Sequence, residues 1–365
     1  MSVDIGIVGL PKSGRTTVFN ALTGGQTDTS RHSHEAASAH LGMASVPEPR
    51  LNALAEVLKP KRIVAASVRY VDVGASVRDL AKGAGPLLNQ LSAVDALINV
   101  VRAFRDDSLP HVAGSLDVDR DIADMDLELT FSDLVLVDRR LGRVADSMKG
   151  AKPPERALML KEQETLGKIR AALDAGTPVR ALPLSAEEAK ALSSFQLLSA
   201  KRLLIVVNVG EEQLRDAARL EADLNGRYGR AHCRVITLCG KLEMELAQLP
   251  AADAEVMRSS YGLTESGADR VIKQSYELLG LITFFTIASG EVRAWPIISG
   301  TEASRAAGKI HTDMERGFIR AEVIGCADLL KCGSIAEARK RGLLRLEGAG
   351  YTVRDGDVIT FLFNV

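Results

Sequence analysis

At 365 residues the chain is longer than a single hydrophobic core supports, so two or three domains are expected. Hydrophobic residues make up 46% and charged residues 25%, which excludes a disordered chain, and a formal net charge of −1 gives no global attraction to nucleic acid. With 4% aromatics, base-stacking platforms are not the main recognition device, and no apolar run approaches the ~20 residues of a membrane span.

The N-terminus lacks the basic-then-apolar layout of a secretory signal, because Asp4 interrupts it and a glycine loop follows; a cytoplasmic location is expected. Val3–Val8 reads as a short, buried parallel strand. Gly9-Leu10-Pro11-Lys12-Ser13-Gly14-Arg15-Thr16-Thr17 follows, and Val18–Leu22 then has helical spacing. Strand, glycine loop and helix N-terminus in that order converge backbone N–H groups and a helix dipole on an anion. The loop fits G-x-x-x-x-G-K-[ST] at every fixed position but one. Gly9 and Gly14 permit the tight path, and Thr16 stands where a hydroxyl reaches Mg²⁺. The expected lysine is Arg15, a longer and planar cation that cannot occupy the same place, so hydrolysis is the property put in question. Lys12 either supplies the missing ammonium or is a solvated surface lysine, the second being favoured.

Val64–Val73 is β-rich and ends near Asp72, a strand-end carboxylate suited to hold Mg²⁺ directly or through water. Further apolar runs are Ala96–Val101, Leu203–Val207 ending at Asn208-Val209-Gly210-Glu211, and Arg234–Leu238 before Cys239-Gly240-Lys241. Strands alternating with helical stretches, with polar motifs at their C-terminal ends, imply a mostly parallel sheet with its ligand at that edge. Between them, Leu127–Val144, Glu155–Leu173 and Ala186–Leu198 carry helical spacing. Arg139, Arg140, Arg143, Lys149 and Lys152 form a local positive cluster, either solvated helix faces or a surface for RNA phosphates. From about Gly280 the texture becomes short β-like runs: Ile282–Ile287, Val292–Ile297, Phe318–Val323 and Val358–Phe363. The C-terminal stretch Thr360–Val365 reads as a docked strand. Cys233, Cys239, Cys326 and Cys332 match no zinc spacing and read as small buried thiols.

The chain resembles the YchF family of Obg-related nucleotide hydrolases along nearly its whole length. The residues that carry the resemblance are I-V-G-L-P-K-S-G-R-T-T-V-F-N-A-L-T (7–23), V-P-E-P-R-L (46–51), L-A-E-V-L-K-P-K (54–61), H-V-A-G-S-L-D (111–117), the long segment 295–323 and Y-T-V-R-D-G-D-V-I-T-F-L-F-N-V (351–365). The resemblance implies an α/β phosphate-loop fold with a Ras-like G domain, a helical hairpin inserted within it, and a C-terminal β-grasp-like TGS domain. The corresponding ranges are 1–117 and 201–280 for the G domain, 118–200 for the insertion and 281–365 for the TGS module. Asn208-Val209-Gly210-Glu211 matches the family's N-x-x-E, which replaces the guanine-reading N-K-x-D and goes with ATP or relaxed specificity. Glu211 taken alone reads as the acidic first turn of a helix.

The implied nucleotide-binding set is Gly9, Pro11, Lys12, Ser13, Gly14, Arg15, Thr16, Thr17, Asn208, Val209, Glu211, Cys239 and Gly240, with Thr16 and Asp72 for the metal. His111 matches a family histidine proposed to position water, although alone it reads as structural; His111 and Arg15 are the candidate catalytic residues. The chain departs from the family at Arg15, at Asp72-Val73-Gly74-Ala75 with Ala75 in place of a glycine, at Ser76, and at Ala36 in switch I, where Thr27, Thr29 or Ser30 could serve instead. His32, His34 and His40 fall in this segment and read as a solvated loop in preference to a metal site. Lys82-Gly83-Ala84-Gly85 keeps part of a glycine-rich switch II. In the TGS-like block Lys309, His311, Arg316 and Arg320 either touch RNA or line a polar cleft. The expected protein is a cytoplasmic, monomeric switch that binds ATP, or GTP, with Mg²⁺, hydrolyses it slowly and engages the ribosome and rRNA. The alternative is a nucleotide-gated adaptor that has lost hydrolysis.

Overall fold

A computed structural model describes residues 3–25, 39–73, 77 and 86–364. The described residues form two compact units, one from 4–42 and 69–271, the other from 1–3, 43–68 and 272–365. Ala36, Thr27, Thr29, Ser30, His32, His34, Gly74, Ala75, Ser76 and 82–85 lie outside the described residues.

The first sheet contains β1 (Val3–Val8), β2 (Ala39–Ser45), β4 (Ser67–Val73), β5 (Ala96–Arg102), β6 (Arg202–Asn208) and β7 (Cys233–Leu238), in the order β2-β4-β1-β5-β6-β7. β1 pairs in parallel with β5, β5 with β6 and β6 with β7. All residues of β5, A-L-I-N-V-V-R, are buried, as expected of a central strand covered on both faces. Leu97, Val101, Ile205, Val207 and Val235 join one apolar cluster with Ile122, Met125 and Leu129 of the helix Val118–Met148. The α/β fold with a mostly parallel sheet is therefore as expected from the strand pattern.

The helix Val118–Met148 starts well before Leu127, because Asp117 caps it by accepting from the Arg120 N–H. It packs on Pro153–Asp174, whose Leu166, Ile169 and Leu173 share a core with Val137, Val179, Leu192 and Leu197. The third helix stops at Leu192, and Gln196 takes φ 52°, a left-handed conformation that ends helical continuation. Asp133, fully buried, accepts from the N–H groups of Leu198 (2.8 Å) and Ser199 (2.7 Å) and so fixes the segment that leads into β6.

The second sheet contains β3 (Arg62–Val64), β8 (Leu281–Ala288), β9 (Glu291–Ile298), β10 (Phe318–Gly325), β11 (Arg345–Glu347) and β12 (Asp357–Phe363), in the order β11-β10-β12-β8-β9-β3. The helix Ala303–Ile310 lays Ala303, Ala306 and Ala307 against Phe284, Val323 and Phe361, the small side chains allowing close approach to the sheet. The β-rich run Val64–Val73 is not one strand. It breaks at Ala65-Ala66, which lack β-branching, and the Ala66 carbonyl accepts from the Val46 N–H at 2.8 Å. Val64 then pairs with Arg293 of β9. In the same unit Arg50, of the helix Pro49–Leu58, pairs with Glu48 (2.6 Å) and Asp355 (2.7 Å) and lies 5.6 Å over the Phe285 ring.

Candidate nucleotide site

β1 delivers the chain to Gly9 at the C-terminal edge of the parallel sheet. A Cβ at Gly9 would lie 2.6 Å from the Val100 carbonyl oxygen, so no side chain fits. Gly14 has φ 90°, and a Cβ there would lie 2.3 Å from Asn208 Nδ2. The helix Arg15–Thr23 begins immediately after it, with no side-chain cap and no acidic residue in its first turn. Its first N–H groups are thus left for a bound anion.

Beside this loop is a cleft of 930 Å³ lined by 12–17, Phe104, Arg105, Asp106, Leu109, 208–212, Cys239, Lys241 and Met244. It unites most of the residues expected from sequence: Lys12, Ser13, Gly14, Arg15, Thr16 and Thr17 at one end, Asn208, Val209, Glu211 and Cys239 at the other. Asn208 joins the two ends. Its Nδ2 donates to the Ser13 carbonyl at 3.1 Å, and its Oδ1 accepts from the Gly240 N–H at 3.0 Å. Glu211 accepts from the Tyr261 hydroxyl at 2.9 Å and from Lys241 Nζ at 3.4 Å. A larger groove of 1110 Å³ lies among the insertion helices, lined by residues such as Arg140, Lys161 and Glu187, and includes no phosphate-loop residue.

At the phosphate end, Thr16 Oγ1 donates to Asp72 Oδ2 at 3.0 Å. Asp72 is 1% exposed, and among the described residues its Oδ1 has no hydrogen-bond partner. A threonine hydroxyl beside a buried carboxylate with an unused oxygen is a donor set that fits a hard divalent cation. Arg15 Nη1 donates to the Val73 carbonyl at 2.8 Å. Burial pushes the Arg15 guanidinium down from its ordinary value, and the charges of Asp72 and Glu128 oppose that push. Lys12, exposed and at φ 66°, donates to the Pro110 carbonyl at 3.3 Å.

The chain is similar to known proteins along its whole length. The chain is 38% identical to the ribosome-binding ATPase YchF of Bacillus subtilis (strain 168), with 100% of each protein covered. It is 36% identical to the ribosome-binding ATPase YchF of Escherichia coli O157:H7, again over 100% of each. The chain belongs to the YchF family. A family model described as "Protein of unknown function (DUF933)", YchF-GTPase_C, matches residues 281–364. The solved structure of the Schizosaccharomyces pombe YchF GTPase superposes with a TM-score of 0.82 at 28% identity, covering 99% of this chain and 98% of that one.

In this YchF chain Gly9, Pro11, Gly240 and Asp72 do not line the cleft, and neither does His111. Pro11, Ser13, Asn99, Arg102, His111 and Asp121 surround a small void beside the phosphate loop. The His111 side chain is 5% exposed; its Nδ1 accepts from the Ala113 N–H at 3.1 Å. Its proton therefore sits on Nε2, which donates to Asp121 Oδ2 at 2.8 Å. Arg120 holds the other oxygen of Asp121 at 2.8 Å.

Phe104, Arg105, Asp106, Leu109 and Met244 are cleft residues that sequence reasoning missed. The first four follow β5 at the ligand edge of a parallel sheet, and that position was the usable signal. Of the basic cluster, Arg139, Arg143, Lys149 and Lys152 are exposed, Lys149 pairing with Asp146 at 2.9 Å, and Arg140 is paired with Glu162 at 2.6 Å. His311 caps the helix Thr312–Arg316 by accepting from the Asp313 N–H at 3.2 Å. Cys233, Cys239 and Cys326 are buried, and burial pushes each thiol up. Among the described residues, no helix is long and apolar enough to cross a membrane, and no group of three or more His, Cys, Asp or Glu side chains could hold a metal.

Proposed function

We propose that the protein binds ATP, with GTP the weaker ligand, in the cleft beside Gly9–Thr16, together with Mg²⁺, and hydrolyses it slowly as a ribosome-associated switch. The observation that carries this reading is the Asn208 clasp, which ties the phosphate loop to the Cys239-Gly240 turn and fixes both ends of one nucleotide-sized cleft. The loop amides and the N-terminus of the helix Arg15–Thr23 hold the phosphates. Thr16 and Asp72 would hold Mg²⁺, which supplies neutralisation of phosphate charge when bound. Arg15 adds a fixed positive charge beside them. His111, on leaving Asp121, orients the attacking water. Two relatives are named ribosome-binding ATPases, and the exposed Arg139, Arg143, Lys149 and Lys152 are suited to the salt-sensitive contact with rRNA phosphates that a ribosome-bound form needs.

The second reading, a hydrolysis-deficient nucleotide-gated adaptor, is favoured by the Arg15 contact with Val73. Purified protein is titrated with labelled ATP and GTP, and phosphate release is followed with and without ribosomes. The expected result is tighter binding of ATP, slow release alone and faster release on ribosomes. Tight binding with no turnover on ribosomes leaves only the adaptor, and failure to bind either nucleotide removes both readings.

A further inference from the structure

Glu211 stands three residues after Asn208 and lines the cleft, where a carboxylate can meet the Watson–Crick edge of a purine. Guanine offers that edge two donors, N1–H and N2–H₂, which a free carboxylate accepts together. Adenine offers one donor, N6–H₂, and the lone pair of N1, which a free carboxylate repels. Where the Glu211 carboxylate points, and what it already binds, therefore decides which base is welcome.

In this structure both oxygens are engaged. Oε2 accepts from the hydroxyl of Tyr261, which follows the helix Ala251–Ser260, at 2.9 Å. Oε1 accepts from Nζ of Lys241, in the helix Gly240–Leu246, at 3.4 Å. The Tyr261 ring packs against the core of the nucleotide-binding unit, and its backbone N–H donates to the Arg258 carbonyl at 3.1 Å. Lys241 is 68% exposed and makes the longer contact, which marks it as the weaker of the two.

We propose that Tyr261, assisted by Lys241, sets the base preference of the cleft by holding the Glu211 carboxylate away from the purine edge. Tyr261 is a positioning residue: it touches Glu211 and acts on the base through it. The clamp removes the acceptor that guanine needs and relieves adenine N1 of a facing negative charge. The hydrogen bond to Glu211 also raises the Tyr261 hydroxyl above its ordinary pKa, so it remains a donor throughout the neutral range. The inference rests on the proposed nucleotide-binding function and adds to it the group that chooses the nucleotide.

The test measures dissociation constants of the full chain for non-hydrolysable ATP and GTP analogues with Mg²⁺. Wild-type protein is expected to favour the ATP analogue. Tyr261→Phe is expected to move the ATP-to-GTP affinity ratio toward GTP by about tenfold, the effect of one hydrogen bond gained by the base. Lys241→Met, on an exposed side chain, is expected to move it the same way by about threefold. Adding Glu211→Gln to Tyr261→Phe is expected to cancel the gain, since an amide accepts with one oxygen only. A ratio unmoved in both single variants, or both affinities falling equally in Tyr261→Phe, would overturn the proposal. Wild-type protein that binds neither analogue overturns the functional reading itself, a result distinct from an unmoved ratio.

Discussion

At the base end of the cleft, Asn208 commits its amide to Ser13 and Gly240, and Glu211 commits both oxygens to Tyr261 and Lys241. At the phosphate end, Ser13 Oγ and Asp72 Oδ1 are buried with no hydrogen-bond partner among the described residues. A buried polar group left unpaired costs about 1–3 kcal/mol, a deficit that an incoming ligand or cation removes on binding. On the proposed function, the base end has its partners before nucleotide arrives, and the phosphate end gains its own on binding. Recognition of the base and progress to hydrolysis are consequently separable properties, and substitutions at the two ends should affect different measurements.

The largest expected effect comes from the residue that belongs to both ends. Asn208→Ala orphans the Ser13 carbonyl and the Gly240 N–H in one step. A loss of ~2–4 kcal/mol in urea unfolding is expected from two unpaired backbone groups, with affinity for ATP and GTP down by at least about a hundredfold. If affinity falls while stability is unchanged, Asn208 contacts the ligand alone and the clasp is not what unites the ends.

Next in size is the foundation of the base end. Asp133 fixes Leu198 and Ser199 just before β6, and burial pushes its carboxyl up to about 6, with the hydrogen bonds from Ser199 and Leu198 opposing. The folded value lies above the unfolded one of about 3.9, so the folded protein binds more protons between those two values. Its contribution to stability is therefore largest below the unfolded value and is lost as pH rises through about 6, by ~2–3 kcal/mol in all. Asp133→Asn is expected to remove that slope while lowering stability, because one of the two N–H groups loses its acceptor. Equal pH slopes in the two proteins would show that Asp133 does not titrate with folding.

Arg15→Lys addresses the phosphate end alone. Lysine cannot reach the Val73 carbonyl as the guanidinium does, and its compact ammonium suits a bridging phosphate position. Turnover is expected to rise about tenfold, with nucleotide affinity within about threefold of wild type. A gain in affinity without a gain in turnover would place the defect in hydrolysis elsewhere.

The parts legible in the sequence are those with local causes. β5 is a continuous apolar run because it is covered on both faces, and Gly9 and Gly14 announce a backbone path that excludes Cβ atoms. The start of the helix Val118–Met148 is hidden because its first turns, V-D-R-D-I-A-D-M-D, are mostly polar, and only the Asp117 cap betrays it. The Val64–Val73 run misleads because β-propensity does not say which sheet a strand joins. Long-range partners leave no trace in spacing: nothing in Tyr261 or Asp121 points to Glu211 or His111, since those pairings depend on where separate helices return the chain.

The smallest expected effect belongs to Lys12, the one loop cation besides Arg15, and it asks whether the phosphate end has a second charge. Its φ of 66° bends the backbone at the loop apex, and its Nζ donates at 3.3 Å to the Pro110 carbonyl, next to His111. That direction makes the ammonium a surface tether between the loop and the segment carrying His111. Lys12→Ala should then change nucleotide affinity by no more than about threefold, the range of an exposed hydrogen bond. Lys12→Gly should bind at least as well as Lys12→Ala, because glycine relieves the left-handed backbone that alanine retains. A tenfold or greater loss of ATP affinity in both variants would instead make Lys12 a phosphate ligand, and the phosphate end would then rest on two cations in place of one.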